Sequence, residues 1–464
     1  MTRLAVKVKF ALAALFGKGD MLTSVPDSGE KHKWRQRHKA LWAAGLGTFV
    51  EFFDYASYGY LATTIAQIFF HPGDRAAAIL QTFLLFAASF AIRPIGGLFW
   101  GHFGDTLGRT RALGLTIIGM GLATTAIGCL PGYAAIGFVA PVLLCICRLL
   151  QGFCTAGEFS GAAVIAGEFA PPLKRGRYVS TVPISAAAGF LFASALVSLL
   201  HGSLSDEQML AWGWRLPFFI GGALTVLTWY TRRSLEETPD FEAISEGNQV
   251  KEAPIRALFR DEIGSITKLL FIMAVECGGY YLVLTYMATY LEIDIGFSPF
   301  LAGLVTTVAL IMYIPFLYGF AALSDWWGRR PVLLSSSILF ILLSYPAFSL
   351  LENGGFWTAL LVQILLVAVL ALNDSTVGTL MIESVPAPVR FSGFALVFNG
   401  AVAIFAGTTP LLSTWLIQST GNKLMPAFII MTIAAMSLPA LFLIRETAPA
   451  RRGADAAKPR PRIL

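Results

Sequence analysis

Among the charged residues that interrupt long apolar runs, five lie in the first half of the chain: Glu51, Asp54, Arg93, Arg148 and Glu158. A charge at bilayer depth costs several kcal/mol unless it is paired or hydrated, so each is a functional candidate on placement alone. Their spacing adds to this. Arg148, Gln151, Thr155 and Glu158 fall at i, i+3, i+7 and i+10, one polar stripe of a helix. Glu51, Asp54, Tyr55 and Tyr58 fall at i, i+3, i+4 and i+7, a second stripe. Two acid-bearing stripes and Arg93 on a third element could face one cavity. Burial favours a neutral carboxylate and a nearby guanidinium favours an ionised one. That competition suits Asp54, Glu158 and Glu51 to taking up and releasing a proton. Arg93 and Arg148, the basic residues inside the apolar runs, offer planar forks suited to a carboxylate ligand. The same groups would also serve as structural ion pairs.

A second candidate set lies further along the chain. Glu276, Tyr280, Tyr281 and Tyr286 share one apolar run, and Asn373 and Asp374 share another. Aromatic faces can hold an alkylated ammonium by cation–π attraction; core packing with satisfied hydroxyls is the alternative. Chemistry of other kinds finds no support. The five cysteines form no CxxC pair, and the five histidines fall at segment ends or in loops, so no metal or cofactor is expected. No phosphate-binding G-x-x-x-x-G-K-[ST] occurs, which leaves an ion gradient as the driver.

The elements that must position these residues follow from composition. Of 464 residues 56% are hydrophobic and only 13% charged, about half the charged fraction of a soluble chain. A multi-pass all-α membrane protein is the class this defines. A spanning helix needs roughly 20 mostly apolar residues. Twelve such stretches are expected at 40–70, 76–103, 111–131, 136–169, 177–201, 212–232, 264–293, 298–323, 331–351, 355–385, 391–419 and 423–445. They divide into a tail at 1–38, a six-helix half at 39–232, a polar linker at 233–262, a second half at 263–447 and a tail at 448–464. The first residues contain LAVKVKFALAALFGKG, too short to span and similar to a basic-apolar leader or a tail lying on the membrane; Met21 is a second candidate start.

Placing both termini and the linker on the cytoplasmic side puts 29 of the 34 Lys and Arg inside and 3 outside. The net charge of +6 is therefore a topology signal, with no nucleic-acid partner implied. The lipid bilayer, a small solute and a proton are the partners expected, with no obligatory protein partner.

Three motif pairs repeat in register. GHFGDTLGRTR around Asp105 answers AALSDWWGRRP around Asp325. Glu168 and Arg175 answer Glu383 and Arg390 in E-x-x-P-x-x-x-R, and Glu237-Thr238 answers Glu446-Thr447. Parallel six-helix repeats are a secondary-transporter architecture. Asp105, Arg109 and Arg111, with Asp325, Arg329 and Arg330, sit at inner helix ends. There they can pair with Glu168, Arg175, Glu383 and Arg390 or with helix termini, in contacts that form in one access state and break in the other.

These motifs resemble the major facilitator superfamily, whose loop signature matches Gly101, Asp105, Gly108, Arg109 and Arg111, and again Asp325, Gly328, Arg329 and Arg330. VEFFDYASYGYLA, RPIGGLFWGHFGDTLGR, RLLQGFCTAGEFSGA, WGWRLPFFIGG and LEETPDF resemble its metabolite:proton symporter family. YYLVLTYMATYL and the run around Asn399 are most similar to the proline/betaine branch. The resemblance implies the major facilitator fold in a bacterial inner membrane. It also implies proton-coupled import, by alternating access, of a carboxylate-bearing solute, with proline or a betaine ahead of citrate- or 2-oxoglutarate-type acids. It places Asn399 beside the substrate. Residues 448–464 carry no heptads, so an osmosensing coiled coil is not expected here. A non-transporting solute sensor is the competing class, and a membrane-embedded enzyme a distant third.

Overall fold

The computed structural model describes residues 28–71, 73, 75–107, 109–168, 170–232, 263–385 and 390–452. The expected linker and most of both tails fall outside them. Contacts divide the chain into a unit of residues 1–42 and one of 43–464. Within the first, a helix already runs from Ser28, earlier than the apolar run alone suggests. The stretch EKHKWRQRHKALW contains no Pro and is rich in straight-chain helix formers, so the helix continues past the end of its apolar part.

All described elements are helical. In chain order the long ones are α1 (Ser28–Tyr60, continued by Ala62–Phe69), α2 (Arg75–Trp100), α3 (Arg109–Cys129), α4 (Val139–Gly167), α5 (Arg175–Ser203) and α6 (Leu216–Arg232). They are followed by α7 (Ile263–Ile295), α8 (Pro299–Trp327), α9 (Arg329–Glu352), α10 (Phe356–Ser384), α11 (Ser392–Thr420) and α12 (Met425–Leu443). Nine of these are long and apolar enough to cross a membrane; α1, α3 and α6 occupy the remaining places in the order. Large apolar side chains such as Leu122, Phe138, Val226, Trp357 and Phe442 are exposed, as a lipid-facing shell requires.

Within the first half α3 packs on α6 and α4, and α2 on α4; within the second, α8 and α9 pack on α10, and α7 and α9 on α12. The halves meet mainly through α5 against α8 and α2 against α11. Small residues set these distances. A Cβ on Gly152 of α4 would collide with the Ser89 carbonyl of α2, so only glycine permits this crossing. Gly152→Val should therefore sharply lower the yield of monodisperse protein in detergent, read by size-exclusion chromatography; an unchanged profile would show that α2 and α4 can separate freely.

The helices are broken where the candidate residues lie. α2 is interrupted at Ile92, just before Arg93 and Pro94, and α4 at Ala156–Gly157, just before Glu158. α7 widens to π geometry over Tyr281–Tyr286 and Leu291–Ile295, and α11 over Val402–Ala406. Such breaks free backbone carbonyls for side chains of other helices. Ala156 O accepts from Asn399 Nδ2 at 2.7 Å, and Leu284 O accepts from Tyr60 Oη at 2.6 Å.

Candidate functional site

Fully buried side chains of α1, α2, α3 and α4 converge in the middle of the first half. Arg93 Nη2 lies 2.7 Å from Glu51 Oε1, with both residues almost without exposed surface. Arg148 has different company. Its Nη1 donates to Gln151 Oε1 at 2.7 Å and its Nη2 to Ser89 Oγ at 3.1 Å. Gln151 Nε2 in turn donates to Asp54 Oδ2 at 2.7 Å and to Thr124 Oγ1 at 2.9 Å. The Arg148 guanidinium lies 4.1 Å from the Tyr58 ring centre and 5.1 Å from that of Tyr55, while Arg93 lies 4.7 Å from Tyr55. Tyr55 Oη meets Thr155 Oγ1 at 3.0 Å, and Tyr58 Oη donates to Thr82 O at 3.1 Å. The two stripes thus meet as their spacing implies.

Neutralisation separates the two arginines. Arg93 is paired with a carboxylate; Arg148 forms no ion pair among the described residues and reaches Asp54 through an amide. Glu51 Oε2, Asp54 Oδ1 and the Nε atoms of Arg93 and Arg148 are buried without hydrogen-bond partners. Because breaking a buried pair leaves the other charge uncompensated, Arg93→Met should destabilise the protein by about 3–5 kcal/mol. Adding Glu51→Gln should recover much of that, read as detergent melting temperature; equal losses in single and double variants would remove the pairing argument.

Glu158 has a partner that its spacing does not show: it is gripped by both terminal nitrogens of Arg232 from α6, with Nη1 at 2.8 Å from Oε2, and lies against Gly47 of α1, one turn before Glu51. Arg232, which belongs by charge count to the cytoplasmic loops, is buried. The signal was present in α6: Gly221, Thr225, Thr228 and Arg232 form a small and polar stripe, all buried, in an otherwise apolar helix.

An aromatic layer joins this cluster to the second half. Phe90 and Tyr281 lie 4.9 Å apart, Tyr281 and Tyr280 5.7 Å, Tyr280 and Phe190 5.0 Å, and Tyr280 and Phe52 5.7 Å between ring centres. Tyr286 stands apart, against Phe83 at 5.6 Å and Tyr290 at 6.5 Å. Asp374 accepts from Tyr313 Oη on α8, a residue that sequence reasoning missed because it is one tyrosine in an apolar run. Asn373 is buried with both amide atoms unpartnered. Asn399 bridges to the α4 break, as described above, and also donates to Ala395 O at 2.9 Å.

Both ends of this region are closed by contacts between the halves. At one end Asp325 accepts from the backbone of Gly176 (2.9 Å) and Arg177 (3.3 Å), the N-terminal turn of α5, and pairs with Arg329 at 2.9 Å. Arg329 reaches Glu383 at 3.3 Å, which Arg175 approaches at 3.7 Å. Glu446, in the third repeated motif, accepts from the first backbone amides of α9, those of Arg329 (2.9 Å) and Arg330 (3.0 Å). Gly328, at φ 111°, makes the turn into that site, and a Cβ there would press on the Glu446 carboxylate. Arg330 itself bonds Leu441 O and Phe442 O, and Arg390 bonds Ile382 O at 3.0 Å. The side chains of Asp105, Arg109, Arg111 and Glu168 lie outside the described residues. At the other end Tyr60 bonds Leu284 O, Ser194 Oγ meets Thr307 Oγ1 at 2.7 Å, and Glu292 meets Thr63 at 3.2 Å and Arg75 at 3.6 Å. The central polar residues lie between these two sets of contacts.

Long apolar helices packed around buried charged side chains suit a membrane transporter. The chain belongs to the Major Facilitator Superfamily, whose sequence profile matches residues 44–303 and, again, 269–464. It is a multi-pass membrane transporter and not an enzyme.

Among curated relatives, the proline/betaine transporter of Salmonella typhimurium is 34% identical over 88% of this chain and 84% of its own. The glycine betaine/proline/ectoine/pipecolic acid transporter OusA of Dickeya dadantii is 33% identical over 88% and 83%. The inner membrane metabolite transport protein YhjE of Escherichia coli is 35% identical over 89% and 94%. Among solved structures, the xylose transporter XylE from E. coli, in a partially occluded inward open conformation, superimposes with a TM-score of 0.71. Identity there is 16%, over 89% of this chain and 99% of that one. The proton:xylose symporter XylE bound to 6-bromo-6-deoxy-D-glucose gives 0.72 at 16% identity, over 89% and 97%. These last two show the fold alone.

Proposed function

We propose that this chain is a proton-coupled symporter that imports a small carboxylate-bearing zwitterion, proline or a betaine, across a bacterial inner membrane by alternating access. The observation that carries this reading is Arg148. A guanidinium buried without an ion pair among the described residues, with its Nε unbonded to any of them and aromatic rings on its faces, is a receptor for an anionic group that arrives with the solute. The names of the relatives support the substrate class. Asp54 carries the coupling proton, because it alone of the three acids has no guanidinium at bonding distance; Glu51 and Glu158 hold Arg93 and Arg232 in place. Arg329, Asp325 and Glu383 act as the inner gate.

The test is uptake into proteoliposomes with and without an imposed pH gradient, using proline, glycine betaine, citrate, 2-oxoglutarate and a neutral sugar. Accumulation of a zwitterion that needs the gradient is the expected result. Preference for a di- or tricarboxylate would make it an organic-acid carrier, and tight binding with no flux a sensor. Orientation is separable: a reporter active only in the periplasm, fused to the C-terminus, should stay silent, and strong signal would invert the topology.

A further inference from the structure

Two buried carboxylates remain outside the proposed coupling and carboxylate-binding groups. Glu276 on α7 and Asp374 on α10 are 5% and 4% exposed. Neither has a basic partner among the described residues: Glu276 Oε2 meets the Cys277 thiol at 3.2 Å, and Asp374 accepts from Tyr313 Oη. Both line one small space, whose remaining walls include Phe159 of α4, Val179 and Pro183 of α5 and Met273 of α7. The space therefore lies between the two halves, where a transported solute passes.

Two further features point to what enters it. The Tyr280 hydroxyl is buried, has no hydrogen-bond partner and interacts electrostatically with both carboxylates. The Tyr280 ring belongs to the aromatic layer with Phe52 and Phe190. Two carboxyl groups, apolar walls and aromatic faces suit a cation that is itself partly apolar; a metal ion would ask for more oxygen ligands than these walls offer.

We infer that Glu276 and Asp374 form the recognition site for the positively charged, alkylated nitrogen of the solute. This rests on the reading of the chain as a carrier of a small zwitterion, and it assigns the nitrogen end to the second half. The site discriminates against a carboxylate of the same shape that lacks the charged nitrogen.

The test compares proline and glycine betaine with cyclopentanecarboxylate, the carbocyclic counterpart of proline, as competitors in solute exchange by purified protein in proteoliposomes. Wild type should prefer the nitrogen-bearing solutes, whereas Glu276→Gln and Asp374→Asn should each weaken them about tenfold or more and leave the carbocycle unchanged. Glu276→Asp should restore part of the preference. A measurement on wild type needs no variant: modification of Glu276 and Asp374 by a hydrophobic carbodiimide, mapped by mass spectrometry, should be slowed by glycine betaine and not by cyclopentanecarboxylate. Variants that keep the full nitrogen preference, or equal modification with and without betaine, would overturn the inference while leaving zwitterion transport intact. Variants that lose gradient-driven accumulation yet keep the preference would also overturn it, making the pair a proton site. If wild type moves no zwitterion at all, the proposed function fails first.

Discussion

Asp54→Asn is expected to abolish accumulation of solute against its gradient. One proton moving down one unit of pH releases about 1.4 kcal/mol, enough to sustain about a tenfold solute gradient. A carrier that binds no proton on this path has no such source and relaxes to equal concentrations on both sides. The substituted amide keeps the size of the Asp54 side chain, and its carbonyl can still accept from Gln151 Nε2. The hydrogen-bonded chain from Arg148 through Gln151 to position 54 should therefore persist. Counterflow exchange, which needs only reorientation of the loaded carrier, should survive while uphill uptake does not. Glu158→Gln should behave differently, because Arg232 would lose its partner: expression and melting temperature should fall along with exchange. Normal uphill accumulation by Asp54→Asn would move coupling to Glu51.

Much of this site could be read from spacing. A stripe at i, i+3 and i+7 is a statement about one face of one helix, so Arg148, Gln151 and Thr155 were certain to share a side, as were Glu51, Asp54 and Tyr55. What spacing does not contain is the rotation of each helix about its own axis relative to its neighbours. Glu158 illustrates the limit. It continues the Arg148 stripe across the turn at Ala156–Gly157, yet its carboxylate is taken by an arginine of another helix, which spacing along α4 does not contain. Its partner Arg232 looked like an ordinary helix-end arginine, because hydropathy weighs it by position in the run and not by the face it shares with Thr225 and Thr228.

The Asp325–Arg329–Glu383 cluster was more legible, because repetition gives two sightings of one motif. Asp325, Arg329 and Glu383 come together as the repeat implied, and Arg175 joins them from the first half. Tyr313, Ser89 and Thr124 were not legible: single polar residues in apolar helices are commonplace, and only the partners Asp374, Arg148 and Gln151 give them meaning. The same holds for Asn399, whose bond to Ala156 O depends on a carbonyl released by a break in another helix.

Arg148→Met is expected to separate function from stability. A buried charge that lacks an ion pair costs the fold free energy, and replacing it with an apolar side chain of similar length removes that cost. Tyr58, Tyr55 and Phe86 already line its flanks and would pack against a thioether, while Gln151 Oε1 and Ser89 Oγ each lose one donor. Melting temperature in detergent should thus hold or rise, while binding of every carboxylate-bearing solute disappears. Arg148→Lys completes the argument. It keeps the charge but loses the planar fork, so binding should weaken by roughly 1.5–3 kcal/mol, about 10- to 150-fold, without a change of substrate class. If Arg148→Met instead melts early and carboxylates never compete for the wild-type site, the guanidinium is a structural element held by Gln151, Ser89 and the aromatic rings. The substrate would then be recognised elsewhere.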